Sequence, residues 1–410
     1  MRRTSRDIRT ANRYRLLRQV IAEAPVARPR LAAATGLSQA TVATLASELC
    51  ALGLLTESGS EESAGGRPRA LLSPDRRGGV LVGVDVAETY VHAQVYDLTF
   101  AVLAEAAETL HPGEPGSRDP EAVTELLAAT VHAAVDKAGA PQDRVLGTGV
   151  SMPGVLDRAR GVSLHAANWG WHDVPLLDLL SRRLSHPLWL DGPLGAAALA
   201  ELWFGAARDR EHAVVVNLGT GVGAGLVVGG EVHRGRDGSA GEWGHTPLVP
   251  GGRPCSCGNH GCLEAYAGAP GILRTLREVA PDSPLAHPGD QSATIAALGS
   301  ALAAETPVPE AAEVLRRTAH ALGTALSGLV NLLNPEVVVL GSWVAAELGR
   351  PLLDSVRAVV EEHALRHPLS GTEFALCGLS ASPVALGAAA LALEGHLASP
   401  RTLHATPRTP

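Results

Sequence analysis

The stretch AVVVNLGTGVGAGLVV, residues 213–228, predicts two buried strands joined by a glycine-rich turn. Two further apolar runs have the same character: VLVGVD at 80–85 ends in an acid, and EVVVLG at 336–341 ends in glycine. A helical pattern at 319–333 precedes the last of them. Strands that alternate with helices and end in glycine or an acid are typical of α/β layers with ligands at the strand ends. The sequence therefore predicts an α/β body.

Downstream of this strand pair, a histidine and three cysteines have the spacing H-x9-C-x-C-x4-C. The predicted metal ligands are His245, Cys255, Cys257 and Cys262. Four protein ligands complete a tetrahedron and leave no open position, so this pattern predicts a structural Zn²⁺ ion. His260 is a competing nitrogen donor inside the loop, and free thiols or a disulfide are the alternative interpretation. Cys50 and Cys377 stand apart and are predicted core residues.

Composition excludes several classes of protein. The 410 residues suffice for two to three domains, and 46% apolar with 19% charged residues indicate a globular chain rather than a disordered one. Three of the five cysteines lie within 255–262, which favours a metal site in a reducing compartment over a secreted disulfide framework. The basic N-terminus lacks the apolar run of a signal peptide, and the longest nearly uncharged stretch contains six glycines. We therefore expect a cytoplasmic protein without a membrane span.

Charge divides the chain into two parts. Residues 1–78 contain 13 Arg and 7 acidic residues, a net charge of +6. The remaining residues carry a net charge of −14, and the two parts together give the overall −8. A basic N-terminal part on an acidic body is expected when only that part binds a polyanion. The N-terminal part is therefore the candidate for nucleic-acid binding.

The N-terminal part also has the spacing of a winged helix-turn-helix. Three helices are predicted at 12–23, 30–35 and 38–51. Gly36 ends the second helix in a tight turn, and Ser38 caps the third. Two short runs at 53–57 and 69–72 can pair as the strands of the wing. A three-helix bundle used for protein contacts, as in an oligomeric scaffold, is the alternative interpretation.

The third helix carries short polar side chains that suit the major groove, and a glycine-flanked arginine in the wing suits the minor groove. The predicted DNA-binding residues are Arg30, Ser38, Gln39, Thr41, Thr44 and Arg67. A homodimer or homotetramer would place two third helices in successive major grooves, so the predicted partner is a roughly palindromic double-stranded DNA operator.

These motifs together resemble one family over about residues 13–398. The most specific parts are E-x-G-H at 242–245 and C-x-C-G-x-x-G-C-L-E at 255–264, and GVSMPGVLD at 149–157 and NWGWHDVPL at 168–176 agree with them. The chain resembles the ROK family (repressors, open reading frames and sugar kinases), in its branch of regulators with an N-terminal winged helix-turn-helix.

The resemblance implies an α/β fold with a two-lobed actin-like (ribonuclease H-like) body. The implied divisions are a DNA-binding domain at 1–73, a linker at 74–79, a small lobe at about 80–192, a large lobe at about 193–385, a closing helix at about 386–398 and a disordered tail at 399–410. The resemblance also implies zinc at the set of one histidine and three cysteines, and a sugar pocket lined by Asn168, Glu242, His245 and Glu264. A sugar, a sugar derivative or phosphate, another metabolite and no effector at all remain open.

The residues that a sugar kinase of this family needs are altered. Its first phosphate loop, D-x-G-x-T, here has Ala87 in place of glycine, and Glu88 adds a negative charge where phosphates would bind. The catalytic E-N-D segment aligns with Asp191-Gly192-Pro193, so Pro193 stands where the general base would be. Asp191 could substitute only if the loop shifted by two residues. The sequence therefore predicts a non-catalytic body in a repressor, with an active sugar kinase carrying a regulatory DNA-binding domain as the alternative.

Overall fold

The computed structural model describes most of the chain. The described residues are 5–61, 68–111, 116–306, 308–379 and 382–399. They divide into two compact units: the first holds the described residues up to Ala196 and those from Ser382 onward, and the second holds those within 197–380. Among the described residues, no helix is both long and apolar enough to cross a bilayer.

Three helices and a small sheet form the N-terminal region of the first unit. The elements are α1 (Ser5–Glu23), β1 (Val26–Ala27), α2 (Arg28–Thr35), α3 (Gln39–Ala51), β2 (Leu55–Glu61) and β3 (Arg69–Pro74). The strands pair antiparallel in the order β1-β3-β2. Leu16, Leu31 and Leu45, one from each helix, are buried. Helix α1 begins well before the predicted residue 12, since its polar, arginine-rich first turns favour a helix without showing any apolar periodicity.

The body of the first unit follows. Its strands are β4 (Val80–Val86), β5 (Tyr90–Tyr96), β6 (Val102–Thr109), β7 (Val145–Ser151), β8 (Val155–Asp157), β9 (Val162–Ala166), β10 (Trp171–Val174) and β11 (Leu188–Asp191), and its helices are α4 (Pro120–Lys137), α5 (Leu176–Ser181) and the start of α6 (Pro193–Phe204). One sheet has the strand order β11-β7-β4-β5-β6, and a smaller one has the order β10-β9-β8. Strand β4 is buried along its whole length, as expected for the centre of a covered sheet.

The second unit has one sheet with helices packed against it. Its strands are β12 (His212–Leu218), β13 (Val222–Val228), β14 (Glu231–His233), β15 (Val337–Gly341) and β16 (Glu373–Leu376), and its helices are α7 (Glu264–Ala267), α8 (Ala269–Val279), α9 (Gln291–Ala303), α10 (Pro309–Leu333), α11 (Trp343–His363) and α12 (Arg366–Leu369). The strand order is β14-β13-β12-β15-β16. The predicted hairpin at 213–228 is β12 and β13, and the predicted α/β class is confirmed. Helix α10 starts ten residues before the predicted 319, with Pro309 in its first turn. Ala311, Val314 and Thr318 are already buried at helical spacing there, so the predicted start was too late.

The last helix, α13 (Pro383–Ala398), belongs to the first unit and lies directly on its sheet. A Cβ atom on Gly83 of β4 would collide with the carbonyl group of Ala385, and one on Gly149 of β7 would collide with that of Ala388. Glycine at these two positions therefore allows the helix to touch the strand backbones.

Candidate functional site

The turn between α2 and α3 has the geometry of a helix-turn-helix. Gly36 ends α2 in the left-handed conformation, with φ of 68°. The hydroxyl oxygen of Ser38 accepts a hydrogen bond from the backbone N–H of Thr41 at 3.1 Å and lies 2.8 Å from the Thr41 hydroxyl. Ser38 is thus the N-cap of α3, as predicted from the sequence, and its side chain is used inside the protein.

The outer face of α3 carries small, uncharged side chains. Its exposed residues are Gln39, Ala40, Ala43, Thr44 and Ser47. Of the predicted contacts, Gln39 and Thr44 lie on this face and Thr41 is half-buried beside it. The Thr44 hydroxyl donates to the carbonyl of Ala40 at 3.0 Å, so its oxygen keeps its capacity to accept from a base or a phosphate. Small side chains let a helix approach base edges closely.

The two arginines of α2 are held in ion pairs. Arg30 is exposed, and its Nε donates to the Glu23 carboxylate at 2.7 Å. Arg28 pairs with Glu57 at 2.9 Å. Exposed ion pairs of this kind contribute little to stability, so a phosphate could replace the carboxylate without a large penalty. Arg67, the predicted wing contact, lies outside the described residues.

Helix α1 is joined to α13 by a hydrogen bond that the sequence did not predict. The Tyr14 hydroxyl donates to the backbone carbonyl of Glu394 at 2.7 Å. Burial raises the pKa of Tyr14, which keeps the hydroxyl a donor. Periodicity places Tyr14 only on the apolar face of the first helix; no sequence signal marks a backbone acceptor so distant along the chain.

The four predicted metal ligands converge in the second unit. The donor atoms of His245, Cys255, Cys257 and Cys262 all lie within 4.8 Å of one another. The sulfurs of Cys257 and Cys262 are 3.7 Å apart, and the Cys255 sulfur is 3.6 Å from Nδ1 of His245. Ligands at ordinary zinc distances in a tetrahedron are separated by about 3.8 Å for two sulfurs and about 3.6 Å for sulfur and nitrogen. The cluster can therefore hold a metal ion, and its three cysteines are free thiols in this structure.

The loop between these ligands is folded by its own backbone. Pro247 pairs with Cys262 and Pro254 with His260, so His260 lies in the loop ladder and is not one of the four clustered residues. Gly261 has φ of 82°, and a Cβ atom there would collide with the carbonyl of Val249. Burial, together with the neighbouring thiols, raises the pKa of Cys262 to about 12. A bound cation would oppose this effect by stabilising the thiolates.

Glu264, the first residue of α7, links the metal loop to the β12–β13 turn. One carboxylate oxygen accepts from the backbone N–H of Val222 at 3.1 Å. The other accepts from the Ser256 hydroxyl at 3.0 Å and lies 3.6 Å from the Cys255 sulfur. Its carboxylate is therefore held by three groups from two segments of the unit.

Glu242 lies on the other side of the metal-site histidine. Its carboxylate oxygen is 3.8 Å from Nε2 of His245, and burial raises the pKa of Glu242. Three of the four predicted sugar contacts, Glu242, His245 and Glu264, are thus brought together in the second unit.

Asn168, the fourth predicted sugar contact, belongs to the first unit. It lies on the short turn Ala167–Trp169 between β9 and β10 and is exposed. Its side-chain amide donates to the Glu88 carboxylate, and its backbone carbonyl accepts from the Arg118 guanidinium. Glu88, whose charge the sequence predicts to lie at the phosphate loop, is therefore in contact with the predicted sugar-binding amide.

The acids at and near the positions predicted from the sequence to correspond to kinase motifs are held by hydrogen bonds within the first unit. Asp85 is buried, which raises its pKa, and it accepts from the Tyr90 hydroxyl at 2.9 Å. Asp191 is buried at the end of β11, where its carboxylate accepts from the backbone N–H of Gly192 at 3.0 Å and lies 3.8 Å from Arg158. Pro193 is the first residue of α6.

Comparisons with known proteins agree with this geometry. Residues 81–395 match the ROK family model. A putative xylose repressor of Caldicellulosiruptor sp. (strain Rt8B.4) is 29% identical over 396 residues, which cover 96% of this chain and 98% of that protein. A glucokinase of Halalkalibacterium halodurans is 34% identical over 306 residues, 73% of this chain and 90% of that one. Among solved structures, a ROK family transcriptional regulator described as a homolog of the E. coli MLC protein has a TM-score of 0.77 at 24% identity, covering 95% of this chain and 97% of its own.

Proposed function

This chain belongs to the ROK family, and from that premise we propose that it is a DNA-binding transcriptional repressor of sugar metabolism. The observation that carries the proposal is the extent of the match. The xylose repressor aligns over 96% of the chain, whereas the glucokinase aligns over 73%. The part of the chain that precedes the matched body at 81 is the part that forms the helix-turn-helix.

In this proposal α3 enters the major groove. Gln39, Thr41 and Thr44 contact base edges, and Ser38 and Arg30 position the helix on the phosphates. Arg67 would reach the minor groove from the wing. A homodimer or homotetramer would present two such helices about 34 Å apart, which corresponds to a roughly palindromic operator.

The body would bind a sugar or a sugar derivative without phosphorylating it. Xylose repressors among the relatives and the cluster of Glu242, His245 and Glu264 support a polyhydroxylated effector, and the role of Asn168 stays a prediction. The loss of catalysis is supported by Pro193 at the first turn of α6 and by the internal hydrogen bonds of Asp191. We assign Zn²⁺ to the cluster of one histidine and three cysteines; with four protein ligands it would hold the loop in place and supply no hydroxide.

Helix α13 offers a route by which the body could act on the DNA-binding region. It contacts α1 through Tyr14 and Glu394, and it lies on β4 and β7 at Gly83 and Gly149. A shift of these strands when effector binds would move the support of α1. The coupling would be reciprocal, so operator DNA would change the affinity for the effector by the same factor.

The first test is affinity selection of genomic DNA fragments by the full-length protein at physiological salt. The control is the full-length double variant Gln39→Ala/Thr44→Ala, which changes two exposed side chains and leaves the buried face of α3 intact. We expect a few fragments that share a twofold motif and are lost with the variant. Affinity for them should fall about a thousandfold between 50 and 200 mM salt if about six phosphates are contacted. Equal, motif-free recovery by both proteins would contradict the proposal.

The alternative function is an active sugar kinase with a regulatory DNA-binding region. It is favoured by the glucokinase relative and by the β12–β13 turn, whose glycines Gly219, Gly221 and Gly223 match a phosphate loop. This alternative requires ATP-dependent phosphorylation of a hexose by the metal-loaded protein. Absence of turnover across a panel of common hexoses with Mg²⁺ and ATP would exclude it.

A further inference from the structure

Two histidines face each other across the small sheet of the first unit, and neither belongs to the residue sets assigned above to DNA or zinc. His165 of β9 and His172 of β10 are direct partners in the antiparallel register. Their Nδ1 atoms are 3.3 Å apart, their ring centroids are 4.7 Å apart, and both side chains are exposed.

The separation of the two nitrogens fits a shared metal ion. Imidazole nitrogens bind Zn²⁺ at about 2.0–2.1 Å, so two of them in adjacent positions of an octahedral or tetrahedral ion lie about 2.9–3.4 Å apart. Imidazole suits Ni²⁺, Cu²⁺ and Zn²⁺ alike. A hydrogen bond between two neutral rings is the competing explanation of the same distance, and it predicts no affinity for these ions.

We propose that His165 and His172 form an exchangeable site for a divalent transition-metal ion, with water completing the coordination sphere. Register holds the two nitrogens at a separation that a shared ion requires, and exposure gives the ion access from solvent. The site has two protein ligands, so it should bind more weakly than the four-ligand cluster and release its metal more readily. The proposal does not depend on the DNA-binding function.

The position of the site suggests what the ion would do. The two histidines enclose residues 166–171, the segment that carries Asn168. An ion shared by both rings would tie β9 to β10 at the base of this turn and so limit the movement of Asn168. Trp169 and Trp171, whose rings are 4.9 Å apart, lie in the same segment and provide a local fluorescence signal.

The test is a calorimetric titration of Ni²⁺ into the untagged full-length protein, with the four-ligand cluster already filled with zinc. Imidazole must be neutral to bind, so the titration is run above the ordinary histidine pKa of about 6.5. We expect saturable binding of one Ni²⁺ per chain beyond the zinc. His165→Gln and His172→Gln should each weaken it about tenfold or more, and the double variant little further, because one imidazole alone is a poor site. His233→Gln, at an exposed histidine of β14, is the matched control and should leave binding unchanged.

Two results would overturn the proposal: saturable Ni²⁺ binding that persists in the double variant, or no Ni²⁺ binding by the wild type. Either result would leave a hydrogen bond between the rings as the explanation of the short distance. A second measurement needs no variant. The electron paramagnetic resonance spectrum of one equivalent of Cu²⁺ on the zinc-loaded wild type should show two imidazole nitrogens at the ion, and fewer than two would also overturn it.

Discussion

Helix α3 and the His245–Glu264 loop place functional residues in opposite ways. On α3 the predicted contacts Gln39 and Thr44 are exposed on a regular element whose other face is buried. In the loop, four donors from irregular backbone converge on one point, and Cys262 is fully buried. The proposed DNA contacts of the helix depend on side chains that stay exposed to a partner. Metal binding by the loop depends on donor atoms that lie close enough together to share one ion.

This difference determines how each site responds to substitution. Removing a side chain from an exposed helix face costs only the contacts it makes with a partner, because nothing inside the protein depends on it. Removing one ligand from the metal cluster weakens binding of the shared ion, and the backbone between the remaining ligands is then no longer held in place. The predictions below therefore separate loss of fold from loss of recognition.

The largest effect is expected for the metal loop. Cys257→Ser and Cys262→Ser should each reduce bound zinc from one ion per chain to none. They should also lower Tm by about 10 °C or more, since metal binding contributes several kcal/mol to folding. Elemental analysis and calorimetry check both outcomes. Cys50→Ser, the same change at a half-buried thiol of α3, is the control and should keep its zinc. Normal zinc content in the Cys257 and Cys262 variants would contradict the assignment.

A smaller effect, confined to recognition, is expected on α3. Gln39→Ala should weaken binding to the selected operator by about 10- to 100-fold, the contribution of a bidentate contact to a base, with Tm unchanged. Fluorescence anisotropy at fixed salt measures it. Gln291→Ala is matched in position, because Gln291 is also an exposed first residue of a helix after a capping side chain, and it should have no effect. If the two variants bind the operator equally, Gln39 is not a base contact.

The smallest effect concerns Ser38, where the cap and the predicted DNA contact can be separated. Ser38→Ala removes the acceptor for the Thr41 N–H and should lower stability by about 1 kcal/mol. Ser38→Asp keeps an acceptor but adds a negative charge, so it should retain stability and weaken DNA binding. Chemical denaturation and anisotropy on both variants distinguish the roles. Unchanged DNA affinity of Ser38→Asp would place Ser38 away from the phosphates and leave it only the capping role.

Local signals in the sequence were sufficient for much of the structure. The Gly36 turn and the Ser38 cap follow from what one residue does to its own backbone, so the sequence predicted them, and α3 ends at Ala51 as predicted. The α/β class followed from apolar runs that end in glycine or an acid. Helix starts were less accurate. Helix α1 extends into a polar segment without apolar periodicity, whereas α10 begins at Pro309, before a periodic segment that the prediction left out. The domain boundaries at 73, 79 and 192, the DNA contacts and the sugar contacts remain predictions.

Long-range pairs could not be predicted in this way. The bond from Tyr14 to Glu394, the contact of Asn168 with Glu88 and the pairing of Arg30 with Glu23 all depend on which surfaces meet. The two histidines at 165 and 172 are close in the chain, but their shared face follows from the register of β9 and β10. Strand register and packing are determined by the whole core, so they cannot be predicted from the type of a single residue.

The sequence by itself determined the kind of chemistry available: a donor set of one histidine and three cysteines, and a capped helix with short polar side chains. The assignment of Pro193 to the place of a catalytic acid stays a prediction. Only the tertiary structure decided which of these groups are brought within bonding distance and which are already used. Ser38 is engaged as a cap and Glu264 by Ser256 of the metal loop, whereas Gln39 is left exposed. The physical reason is that a donor set is a property of residue types, while distance and exposure are properties of the packed chain.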